Sequence, residues 1–238
     1  MNLCVHQPIN CMLCSKVTVN VFDDVLLGLQ AEDPKIHPLR RMLHKLIRNI
    51  LNRFVKPSAM IGKCVDNVNY KLSYNIKSNK DLVIGEDAKL FICNKDTNHM
   101  RQSRIEEFYR NIILYFNELC DYLMKKLPLN HEVLVAAEVV DVALQTSAKV
   151  SDLELFTDRY SCLIPENTTK DKLIEQFTDY QSFDIAVCII DIIDETWVAI
   201  GQIEEDGCLL FRELAILTIP HSSAHCERVF SCVRKKQN

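Results

Sequence analysis

Two long stretches of this chain repeat their apolar residues at helical spacing, and they constrain the fold more than any other feature. In the first, Ile36, Leu39, Leu43, Leu46, Ile47, Ile50 and Phe54 fall on one helix face. In the second, Ile105, Phe108, Tyr109, Ile112, Phe116, Leu119, Cys120, Leu123 and Leu127 do the same between His99 and Leu127. Asp33 suits the N-cap of the first helix and Pro34 its first position, and Lys56-Pro57 ends it. Pro128 stops the second. Only five glycines occur in 238 residues, so turn punctuation is too sparse for a many-stranded sandwich. The expected fold class is mainly α.

Shorter helical patterns cover His131 to Ala148, Ser151 to Tyr160, Lys170 to Phe183 and Cys208 to Ile219, and a last one runs from Ser223 onward. Ser58 to Asn98 reads as a turn-rich crossing, in which Asp81-Leu82-Val83-Ile84-Gly85 suits a short strand or an extended docking segment. The alternation in Val17-Thr18-Val19-Asn20-Val21-Phe22 suits a strand. From Asp184 to Gly201, β-branched content favours strand and length permits helix.

The net charge of −4 excludes nucleic-acid binding by bulk charge and leaves it to a local patch. The eleven cysteines are scattered and odd in number, and no secretory apolar core precedes them, so a reduced compartment is expected and secretion is not. The longest apolar run, 185–193, is interrupted by Asp191 and is too short to span a membrane.

Several constellations bear on chemistry. The helix from 35 to 56 carries Arg40, Arg41, Lys45, Arg48 and Arg53 and no acid. Such a face is a solvated surface, a phosphate-contacting surface, or a basic amphipathic surface for membranes or partner grooves. Cys11 and Cys14 have the bite of a zinc pair, but Cys4 and His6 sit too close together to supply the second pair. His221, His225, Cys226 and Cys232 cluster in sequence, but a helix start separates the two histidines, so no metal is expected. Ser222, His225 and Glu227 are too close along one helix to converge as a hydrolase triad.

The most specific stretch is Ile219-Pro220-His221-Ser222-Ser223-Ala224-His225-Cys226-Glu227-Arg228-Val229-Phe230-Ser231. Pro220 restarts the chain, Ser222 and Ser223 are good N-caps, and Cys226, Val229, Phe230 and Val233 form a narrow apolar stripe. By spacing alone, Glu227 is a first-turn acid that favours the helix dipole. The block resembles the one at the C-terminus of hAT-superfamily DNA transposases. Less specific likenesses lie in Gln30 to Pro57, Arg104-Ile105 with Phe108-Tyr109, Lys126-Leu127-Pro128-Leu129 and Asp194-Glu195-Thr196-Trp197.

The resemblance implies a helical insertion-like domain over 30–190, after a leader over 1–29, and a truncated C-terminal dimerisation region over 191–238. That last part would be a remnant of an RNase H-like α/β fold. Pro220, Val229, Phe230 and Val233 would belong to the dimer surface. Glu227 would match the third carboxylate of a DDE site, here vestigial, because its two partner aspartates lie upstream in such enzymes and this chain is expected to start after them. Asp23 and Asp24, after the Val17 to Phe22 segment, are the nearest substitutes, and a solvated turn or helix cap is their plainer role.

The paired cysteines and histidines of a BED-type zinc finger do not occur. The expected function is therefore a catalytically inactive protein-dimerisation module derived from a hAT transposase, with a second copy or a related transposase as partner. The alternatives are a nucleic-acid accessory module using helix 35–56, and an active DDE-type transposase, which alone would need a divalent metal. No other cofactor and no membrane partner is expected. The resemblance places the chain in the nucleus; the cytoplasm is the other setting.

Overall fold

The computed structural model describes residues 20–30, 35–93, 102–160, 169–182, 184, 193–200, 204–205 and 208–209. They are mainly helical. The helices are α1 (20–30), α2 (Ile36–Phe54), α3 (Glu86–Cys93), α4 (Gln102–Lys126), α5 (Glu132–Ala136), α6 (Val150–Arg159), α7 (Lys170–Ser182) and α8 (Ile193–Ile200). The strands β1 (Glu204–Glu205) and β2 (Cys208–Leu209) follow. The chain divides into two compact units: Met1–Leu26 with Leu43–Leu127, and Leu27–Met42 with Pro128–Asn238.

In the first unit the later turns of α2 bury Leu43, Leu46, Ile47, Ile50, Leu51 and Phe54, and α4 buries Phe108, Ile112, Phe116, Cys120 and Leu123. The Phe54 and Phe116 rings stack with centroids 5.5 Å apart, and Tyr70 meets Phe54 edge-on at 6.3 Å. Apart from Leu51 and Tyr70, these are residues that the helical spacing assigns to the core, and burying each large side chain contributes about 1.5–3 kcal/mol. The Tyr70 hydroxyl donates to Asp121 Oδ1 at 2.5 Å, and Lys71 Nζ lies 2.7 Å from Asp121 Oδ2. Those two bonds hold the Asp121 carboxyl below the usual range.

A helix end exposes carbonyls that need donors. The crossing segment supplies them to α2 through a set of 3₁₀ turns at Pro57–Ala59, Val65–Asn67, Ser73–Asn75 and Asn79–Asp81. Lys77 N–H donates to Phe54 O at 2.8 Å, Val83 N–H to Arg53 O at 2.9 Å, and Lys77 Nζ to Asn52 O at 2.6 Å. Lys56 N–H donates in turn to Asn75 O, beside an antiparallel bridge between Val55 and Ile76. Residues 82–85 form the extended docking segment. Leu82 and Ile84 are buried, Val83 between them is exposed, and Gly85 ends the segment at φ +87°.

The second unit is built on α5 to α8. Leu153, Phe156, Phe177, Tyr180, Trp197 and Ile200 fill its core. Trp197 is fully buried, donates Nε1–H to Val140 O at 2.9 Å, and lies 5.0 Å from the Tyr180 ring. Gln145 donates to Tyr180 O, and Gln181 donates back to Gln145 O at 3.2 Å and to Ala148 O at 2.7 Å. Gly28 of α1 faces Met42 so closely that a Cβ there would collide with its side chain.

Three sequence expectations need correction. Of the expected Val17–Phe22 strand, residues 17–19 lie outside the described residues and residues 20–22 belong to α1, because Val21, Phe22, Val25, Gly28 and Leu29 form a longer helical stripe in which Val25 is buried. The helix over His131–Ala148 breaks after α5 into 3₁₀ turns at Ala137–Val140 and Val142–Leu144. Asp141 sits extended between them and accepts Ala143 N–H at 3.1 Å, a local bond that competes with helix continuation. Cys208–Leu209, expected to open a helix, pairs antiparallel with Glu204–Glu205. The intervening Asp206-Gly207 is the dipeptide that favours a two-residue hairpin turn.

Candidate functional site

Pro220, Glu227, Val229, Phe230 and Val233 lie outside the described residues, as do Cys4, His6, Cys11, Cys14, Ser222, His221, His225, Cys226 and Cys232. Asp23 and Asp24 are exposed on α1, and Asp24 Oδ2 lies 3.6 Å from Lys45 Nζ. They stand on a helix, whereas the resemblance expects the catalytic aspartates on strands. Among the described residues no three His, Cys, Asp or Glu side chains group to hold a metal ion. No helix among them is long and apolar enough to cross a membrane.

The described site is the basic face of α2, and its cations divide into two sets by partner. Arg40 Nη1 lies 3.3 Å from Glu138 Oε1, and Arg40 Nε donates to Leu129 O at 3.1 Å. Arg41 pairs with Asp141, a buried carboxylate that also caps the 3₁₀ turn at Val142–Leu144. Lys45 pairs with Asp24. These cations therefore face carboxylates. Arg41 is half exposed and Asp141 is buried, so removing Arg41 is the costly way to break the pair, because it leaves a carboxylate that lacks bulk water without its cation.

Arg48 and Arg53 differ. Arg48 Nη2 donates to Lys63 O at 2.6 Å and Arg53 Nη1 to Val83 O at 3.4 Å, so each guanidinium binds a neutral carbonyl and keeps its charge. The crossing segment adds cations of the same kind. Lys56 Nζ donates to Tyr74 O at 2.6 Å, and Lys77 Nζ donates to Asn52 O. The sequence reading missed Glu138 and Asp141 as partners because nearly a hundred positions separate them from the helix, and a helix's own pattern says nothing about such distant acids. It missed Lys63, Lys77 and Lys80 as members of the basic surface because they lie in the irregular crossing.

Two histidines on α2 have distinct surroundings. Burial pulls His37 down to about 4, with Asp141 opposing that shift and Arg41 and Lys35 adding to it. His44 Nδ1 lies 3.7 Å from the exposed Cys64 thiol.

No family model, curated protein or solved structure matches the chain.

Proposed function

We propose that the chain is a protein-dimerisation module, a catalytically inactive derivative of a hAT-type transposase that associates with a second copy or a related transposase. The carrying observation is the stretch Ile219 to Ser231, with the apolar stripe Cys226, Val229, Phe230 and Val233 continuing past it. A narrow stripe on one helix is the pattern of a packing seam, and symmetric self-association is the commonest way to cover one. In this reading the region 191–238 is a remnant of an RNase H-like fold, and the chain works in the nucleus. Its inactivity is supported by the settings of Asp23 and Asp24. Two-metal phosphoryl transfer requires converging carboxylates, whereas these lie exposed on a helix with Lys45 beside Asp24.

Light scattering on a sizing column tests the proposal. The wild-type chain is expected to run as a discrete dimer, and Phe230→Asp to run as a monomer with an unchanged far-ultraviolet circular dichroism spectrum. A variant that associates as the wild type does would remove the stripe from the interface. Divalent-metal-dependent DNA cleavage abolished by Glu227→Gln would overturn the inactive assignment.

A further inference from the structure

We infer that the end of α2 and the segment crossing it form a docking surface for single-stranded nucleic acid. The stretch from Arg48 to Lys80 carries seven cations and a single acid, Asp66, in a chain of net charge −4. One of the seven, Lys71, is paired with Asp121. The other six, Arg48, Arg53, Lys56, Lys63, Lys77 and Lys80, have no carboxylate partner among the described residues.

The fold gathers these side chains. The bridge between Val55 and Ile76 and the bond from Lys77 N–H to Phe54 O lay Lys56 and Lys77 against the last turn of α2. Arg48 is tied to the backbone of Lys63. Lys80 lies in the last 3₁₀ turn before the docking segment beside Asp81, which accepts the Ser78 hydroxyl at 2.5 Å and keeps its charge, so the six cations outnumber the acids Asp66 and Asp81. The helix end offers only roughly half an elementary charge to offset several cations, so a positive surface remains.

Two observations select the occupant. Tyr74 is 69% exposed, and its carbonyl accepts the Lys56 ammonium. An exposed ring beside lysines is the pairing that stacks a base while its phosphates are neutralised. The apolar face of α2 is buried in the core, so this helix has none left to insert into a lipid surface. The inference is independent of the dimerisation proposal and excludes Arg40, Arg41 and Lys45, whose charges face carboxylates.

Fluorescence anisotropy of a labelled oligothymidylate with the full chain, over a salt series, tests it. Lys63 and Lys80 make no side-chain hydrogen bond among the described residues, so their replacement leaves the fold intact. Lys63→Gln with Lys80→Gln is expected to reduce the slope of log affinity against log salt by about 1.4, since each phosphate contact on a single strand contributes roughly 0.7. Tyr74→Ala is expected to weaken binding by about five- to a hundredfold at an unchanged slope. Lys125→Gln with Lys126→Gln, at the end of α4, is expected to change neither. The proposal fails if the wild type shows no salt-dependent binding, or if the double variant keeps the wild-type slope. It also fails if phosphatidylserine vesicles are bound in preference to the oligonucleotide, or if duplex binds equally well and Tyr74→Ala has no effect.

Discussion

Replacing Trp197 by Phe tests the account of the second unit most directly. Trp197 and Val140 are both fully buried, and the indole N–H donates to the Val140 carbonyl at 2.9 Å. A phenyl ring cannot donate, so that carbonyl is left without its buried donor, at a cost of about 1–3 kcal/mol. The ring is also smaller by about 40 Å³, and at about 24 cal/mol per Å³ of residual cavity this adds about 1 kcal/mol. The expected loss is about 2–4 kcal/mol, reduced where Tyr180 closes in, its centroid being 5.0 Å away. Trp197 is the sole tryptophan, so its fluorescence in the wild type follows the second unit alone, whereas circular dichroism follows both. Urea titration by both probes first assigns the transition. The variant is then followed by circular dichroism, where that transition is expected to move to lower urea. A shift worth less than about 0.5 kcal/mol, the ordinary effect of a surface substitution, would refute the claim that the bond to Val140 holds α8 in place.

Phe116→Ala removes the ring stacked on Phe54, and its expected cost is about 3–5 kcal/mol, read as a lower urea midpoint for the first unit. His37 gives a pH dependence. Its folded-state value, about 4, lies below its ordinary 6.5, so between these values the unfolded chain binds a proton that the folded chain refuses. Stability from this group is complete above about pH 6.5 and is lost as pH falls toward 4. The loss is about 1–2 kcal/mol after allowing for the partial exposure of the ring. Comparing urea midpoints at about pH 7 and 4.5 checks this: the wild type is expected to lose more stability than His37→Gln, and equal losses would show that another group is responsible.

What the sequence disclosed follows the range of the forces involved. The spacing of Ile36 to Phe54 and of Phe108 to Leu123 showed α2 and α4 with their buried faces, because burial on one side of a helix leaves a periodic trace. The crossing was legible as turns, but its capping of Arg53 and Phe54 was not, since backbone donors have no side-chain signature. The break at Asp141 was missed for a similar reason. Val139, Val140 and Val142 read as helix-compatible apolar residues, and only the bond from Ala143 N–H to the Asp141 carboxylate reveals the tighter turn. Of the candidate site, the cations could be seen in the sequence and their partners could not. The difference between Arg41 on Asp141 and Arg48 on Lys63 O lies in tertiary geometry.

The way α2 is finished also bears on synthesis. Its residues leave the ribosome before their partners: the donors that close its last turn are Lys77 and Val83, and the acids that neutralise Arg40 and Arg41 are Glu138 and Asp141. At about 5–20 residues per second, the nascent helix waits on the order of 5–20 s for those acids to emerge. Throughout that interval it presents a cationic face beside the polyanionic ribosome. Translation pauses placed before Asp141 would lengthen this exposed stage, and a chain released before that point would carry the basic helix with two of its arginines uncompensated.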